Sequence, residues 1–115
     1  MPPGGNEFAD NIGIAIEKLL SLSEAMLDAA RAGEWPQLIE YEARRSPLLE
    51  DFFSVWNKAP DKLRDVQTIR VFIETVQGID KKVLLLAESE KEATANSLSK
   101  LKNARHATSA YAENT

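Results

Sequence analysis

Apolar side chains recur over the first third of the chain at alternating steps of four and three: Phe8, Ile12, Ala15, Leu19, Leu22, Met26 and Ala29. That spacing is the seam of a helix packed lengthwise against a partner helix. Glu17, Ser21, Glu24, Asp28 and Arg31 fall on the opposite, wet face. Asn6 is a candidate N-cap, and Gly33 stands where a left-handed residue ends a helix. The pattern predicts helix 1 over about residues 7–32.

Glu34-Trp35-Pro36 restarts the chain at once, because proline is tolerated in a first helical turn where its missing N–H costs nothing. A connection this short forces an antiparallel helical hairpin. Helix 2, over about 35–56, carries the stripe Trp35, Leu38, Glu42, Arg45, Leu49, Phe52 and Trp56, apolar at both ends and charged in the middle. Glu42 and Arg45 lie one turn apart, and they are expected to pair on the packed side and fix how helix 2 docks. Pro47 should kink this helix, since it removes one ladder bond and crowds the carbonyl four residues back.

Pro60 interrupts the chain and Asp61 can cap a new helix, so helix 3 is expected over about 62–97. Its stripe of Val66, Ile69, Phe72, Ile73, Val76, Ile79, Val83, Leu86 and Ala87 runs straight through Gly78, where a bend or a packing contact is expected. The stripe fades over residues 88–97, which should project beyond the hairpin. Leu98, Leu101, Ala104 and Tyr111 form a thinner stripe that predicts a short C-terminal helix over about 98–111. Residues 1–5 and 113–115 are expected to be disordered. The resulting fold class is all-α: one domain over residues 6–112, an antiparallel hairpin with a long third helix and a short fourth, as a three- or four-helix bundle.

Composition narrows the function. A chain of 115 residues has room for one modest core. No cysteine is present, so a disulfide framework and a thiolate metal site are both excluded. The start MPPGGNEF has no basic stretch before an apolar run, and no apolar segment approaches the ~20 residues that span a bilayer, so a cytoplasmic address without membrane insertion is expected. A net charge of −4 is the wrong sign for direct nucleic-acid binding. The charge is uneven: residues 1–56 hold four basic and ten acidic side chains, whereas 57–115 hold ten and eight. From Ala93 to Ala112 the only charges are Lys100, Lys102 and Arg105, a mildly basic strip.

Catalytic chemistry finds little support. The phosphate-cradling glycine motifs and HExxH are missing. Glu40/Glu42 and Glu50/Asp51 are too close in sequence to share a helix face and act as an acid/base dyad. A di-iron bundle needs several Glu-x-x-His pairs, and His106 is the sole histidine; it sits in the weak tail and reads as a surface residue rather than a phosphotransfer site. No catalytic residue, cofactor or metal site is expected.

The aromatic residues Trp35, Phe52, Phe53, Trp56 and Phe72 read first as core. A three-helix core is small, however, so with Phe53 off the Phe52 stripe some of them should line an exposed apolar groove suited to a partner helix. Phe53, Trp56, Phe72, Val83 and Leu86 on the bundle, with Leu98, Leu101 and Tyr111 on the tail, are the candidate partner-binding residues.

The hairpin Leu27…Ala32-Gly33-Glu34-Trp35-x-x-Leu38-Ile39-x-x-Glu42-x-x-Arg45-x-x-Leu48-Leu49 resembles the first two helices of the FliT flagellar export chaperones. Ile79-Asp80-x-x-Val83-x-x-Leu86-Ala87 and the ending Leu98-x-x-Leu101-x-x-Ala104-x-x-Ala107-x-x-Ala110-Tyr111 are similar to the family's third helix and C-terminal segment. The resemblance spans roughly residues 8–112. It implies a cytosolic chaperone that holds the filament-cap protein FliD and delivers it to the export ATPase complex. In some bacteria it also implies restraint of a flagellar transcription activator. The alternative is a helical adaptor or subunit that forms a stable homodimer. Far-UV circular dichroism should give a helical content far above the ~30–35% of an average domain, with no substantial β signal.

Overall fold

Four helices, α1 (Gly4–Arg31), α2 (Trp35–Lys58), α3 (Val66–Ser89) and α4 (Ala95–Glu113), make up the computed structural model, with no strand among the described residues. The description covers residues 4–59, 65–90 and 95–113. The expected all-α bundle is what forms.

The hairpin turn is set by Gly33. Its φ of 70° lies in the left-handed region, where an L side chain would meet the following carbonyl. Around it, the Glu34 N–H reaches the Ala29 carbonyl at 2.9 Å and the Gly33 N–H reaches the Ala30 carbonyl at 3.2 Å. These two bonds are the Schellman closure, and they satisfy carbonyls that the helix end would otherwise strand. Helix α2 begins immediately, with Pro36 in its first turn. Asn6 lies inside α1, which begins at Gly4, so the expected cap is corrected. At the other end, Glu113 belongs to α4.

Helix α2 is continuous through Pro47. The carbonyl deprived of its donor belongs to Ala43, an exposed residue, so water can take it. Helix α3 is capped by Asp65, whose carboxylate accepts from the Thr68 backbone N–H at 3.1 Å and from the Thr68 hydroxyl. The Thr68 hydroxyl, then its N–H, holds the Asp65 carboxyl below the ordinary range. Asp61 and the expected helix start at Lys62 lie outside the described residues.

The expected run of helix 3 to residue 97 is also corrected. Helix α3 stops at Ser89, Glu90 is extended, and the Glu90 N–H turns back to the Ala87 carbonyl at 3.2 Å. Beyond Ala87 no apolar side chain remains on the stripe to hold the helix against the core, whereas reversal of the chain returns Leu98 and Leu101 to it. Helix α4 therefore opens at Ala95, earlier than the pattern placed it.

Two apolar clusters fill the bundle, and their membership gives its direction. One joins Leu19, Leu49, Phe52, Phe53, Trp56, Ile69, Phe72, Ile73 and Val76. The other, at the Gly33 end, joins Met26, Leu27, Ala29, Ala30, Trp35, Leu38, Ile79, Val83, Leu84, Ala87 and Leu101. Helices α1 and α3 run from the first cluster to the second, α2 runs back between them, and α4 adds Leu101 to the second. Helix α1 packs on α2 and α3, and α4 packs on α2 and α3. The result is elongated, 55 × 26 × 20 Å.

Gly78 neither packs nor ends α3. A Cβ built there meets nothing within 4 Å, and the residue is exposed. Gly78→Ala should therefore stabilise the protein by about 0.5–1 kcal/mol in chemical denaturation, by removing backbone freedom from the unfolded chain. Leu38→Ala, at a position with no exposed surface, should cost about 2–5 kcal/mol in the same measurement.

Candidate protein-binding site

Between the two apolar clusters lies a buried polar layer. The Arg45 guanidinium of α2 donates to Asp80 of α3 through both terminal nitrogens, at 2.7 and 3.2 Å, and to the Ser23 hydroxyl of α1 at 2.9 Å. The Ser23 hydroxyl in turn donates to the Leu19 carbonyl at 2.9 Å. All three side chains are buried, Arg45 to 1% exposure. A forked pair of this geometry offsets the desolvation of both charges only because its remaining hydrogen bonds are largely met. Two buried donors stay without a protein partner, Arg45 Nε and Trp35 Nε1.

This layer corrects the expected Glu42–Arg45 pair. Arg45 is on the packed side of α2, but its hydrogen bonds go across the core to Asp80 and Ser23. Glu42 is half-buried one turn away. Burial pushes its carboxyl above the ordinary value, the charges of Arg45 and Lys100 pull it back, and Asp80 pushes it up again.

The candidate partner residues separate into two groups. Phe53, Trp56 and Phe72 are core, at 1%, 2% and 3% exposure. Phe52 meets the Phe53 and Phe72 rings edge-on at 5.2 and 5.1 Å. The expected surplus of exposed aromatic surface does not arise, because α3 crosses this end of the hairpin and brings Ile69, Ile73 and Val76 onto the rings. The second group sits together at the Gly33 end: Val83 is buried, Leu86 and Leu98 are half-buried, and Leu101 is buried in the same cluster. There α4 lies over α2 and α3. The Tyr111 side chain lies outside the described residues.

The seat of α4 is thin. Among its described side chains, Leu101 and Thr108 are buried and Leu98 is half-buried, and the Thr108 hydroxyl is satisfied within α4 by the Ala104 carbonyl at 3.1 Å. One exposed ion pair, Lys102 to Glu88 at 4.0 Å, bridges α4 to α3 beside an open cleft that Leu84, Arg105 and His106 also line. Exposed pairs of this kind contribute roughly 0–1 kcal/mol.

A second surface was not visible in the periodicity. Between α1 and α2 an open cleft of about 330 Å³ is lined mainly by apolar side chains, among them Ile12, Ala15, Leu48 and Phe52, with Lys18 and Asp51 at its margin. Ile14 and Val55 line it while remaining 64% and 53% exposed. Both lie off the seams that pair these helices, which is why a stripe-based reading passes over them.

The geometry is that of a small helical bundle with an open apolar cleft, and no group of residues that could hold a metal ion occurs among the described residues. No described helix is long and apolar enough to cross a membrane. The family model for the flagellar protein FliT matches residues 14–114, nearly the whole chain, and the protein belongs to that family. No curated protein and no solved structure shows a significant match.

The buried pair can be tested by a mutant cycle. Arg45→Met alone should cost about 3–5 kcal/mol, because Asp80 is left buried and unpaired, whereas Arg45→Met combined with Asp80→Leu should recover most of that loss in urea denaturation.

Proposed function

We propose that this protein is a flagellar export chaperone that works in the cytoplasm by binding rather than by catalysis. Its client is a filament-cap protein of the FliD kind, held at the groove between α2 and α3 that α4 covers. The observation that carries this reading is the thin seat of α4 on a rich apolar cluster: Val83, Leu84 and Ala87 are buried under a helix that answers with Leu98 and Leu101. Removing α4 would bare an apolar trough of the kind that takes an amphipathic helix. Family membership supports the flagellar setting. Delivery to the export ATPase complex and restraint of a flagellar transcription activator are further proposed roles of the same surface.

A helix that covers a binding groove part of the time lowers apparent affinity by the fraction of molecules that are covered. Cutting the chain after Thr94 should therefore tighten binding of a peptide from the client's C-terminal segment in calorimetry, while circular dichroism shows the bundle intact. Weaker binding by the shortened chain would instead make Leu98 and Leu101 direct client contacts.

The α1/α2 cleft favours a second reading, a helical adaptor that forms a stable homodimer, because Ile14 and Val55 stand exposed along it and the oppositely charged Lys18 and Asp51 line it too. Sedimentation equilibrium decides it. A dimer mass that Ile14→Glu abolishes supports this reading, and a monomer at all accessible concentrations removes it.

A further inference from the structure

One face of the bundle carries charge of the opposite sign to the protein as a whole, whose net charge is −4. Between α3 and α4 an open cleft of about 430 Å³ is lined by Leu84 and Glu88 from one helix and by Lys102, Arg105 and His106 from the other. The three α4 residues stand at i, i+3 and i+4, so they share one helix face. Leu84 is buried and gives the cleft an apolar floor. Lys81 is exposed three positions before Leu84, on the same side of α3, and extends the positive charge along the cleft. Arg105 and His106 are exposed and make no hydrogen bond or ion pair among the described residues. Lys102 is held only by Glu88, at 4.0 Å, with both side chains about half exposed.

We propose that this cleft docks an acidic segment of a partner protein, with Arg105 and Lys102 taking carboxylates spaced along that segment and Leu84 meeting an apolar residue between them. Charge complementarity selects this occupant. The Arg105 guanidinium presents a planar fork to solvent with no carboxylate of its own to fill it, and the His106 ring adds a hydrogen-bond donor beside it. An ion pair as long and exposed as Glu88–Lys102 exchanges readily for an incoming carboxylate, so Glu88 acts as a weak internal competitor for the site. A single compact anion fits less well, because the cationic groups are spread over one turn of α4, about 6 Å, and none of them is buried. Nucleic acid is disfavoured by the negative charge of the whole chain and by Glu88 in the cleft. The inference goes beyond the client groove and does not rest on it, since it concerns exposed side chains of α3 and α4 rather than the apolar cluster beneath α4.

Fluorescence anisotropy of a short dye-labelled peptide of glutamates around one leucine, titrated with the full chain, tests the proposal. Binding should saturate, and raising the salt from about 50 to about 200 mM should weaken it several-fold. Arg105→Glu should weaken it by about five- to tenfold and Lys102→Gln by less, while circular dichroism shows both variants folded. Glu88→Gln should tighten it by about two- to threefold, because the internal competitor for Lys102 is gone. Arg70→Glu makes the same charge change at an exposed site near the start of α3, far from the cleft, and should leave binding as it was. Unchanged affinity in Arg105→Glu, or equal weakening by Arg70→Glu, would overturn the proposal, the second by reducing the effect to net charge. Displacement of the peptide by tripolyphosphate or by an oligothymidylate at matched charge concentration would also overturn it, in favour of a general anion site.

Discussion

The buried fork between Arg45 and Asp80 is the constraint on which the bundle depends. A guanidinium taken out of water is tolerable only where a carboxylate and a hydroxyl wait for it, so α1, α2 and α3 have one register in which Ser23, Arg45 and Asp80 meet. Sliding α2 or α3 by one turn strands a charge among apolar side chains, and the loss exceeds what any single apolar contact returns. Apolar stripes alone would be more forgiving, since leucine and isoleucine accept many partners. The polar layer adds little net stability and restricts the packing to one arrangement.

That layer also explains the division of labour along the molecule. On one side, α1, α2 and α3 enclose the aromatic cluster around Phe52, Phe53, Trp56 and Phe72. On the other, the cluster around Leu38, Val83 and Ala87 draws on α4 as well. Among its described side chains, the fourth helix answers this second cluster with Leu98 and Leu101.

Much of this was legible in the residues. The seam of α1, the Gly33 turn, the restart at Trp35-Pro36 and the polar middle of the α2 stripe follow from periodicity and capping chemistry, and each is found. The partner of Arg45 was not, because it lies 35 positions away and a local reading offers Glu42 first. A signal existed: Asp80 stands four residues after Val76 and four before Leu84, so it interrupts the α3 stripe as Arg45 interrupts that of α2. The end of α3 was misplaced because residues 88–97 tolerate a helix, and only the return of Leu98 and Leu101 to the core decides that the chain turns back. The burial of Phe53 and the exposure of Ile14 and Val55 depend on how α3 crosses the hairpin, which helical spacing does not encode.

The polar layer has one more effect, on how damage spreads. If α4 lifts and water enters the cluster beneath it, the next structure that water meets is a guanidinium and carboxylate already joined by two hydrogen bonds, which resist separation more than a methyl-to-methyl contact does. The layer acts as a firebreak: one end of the core can be wetted repeatedly while the aromatic end stays dry, so opening the molecule need not begin its unfolding.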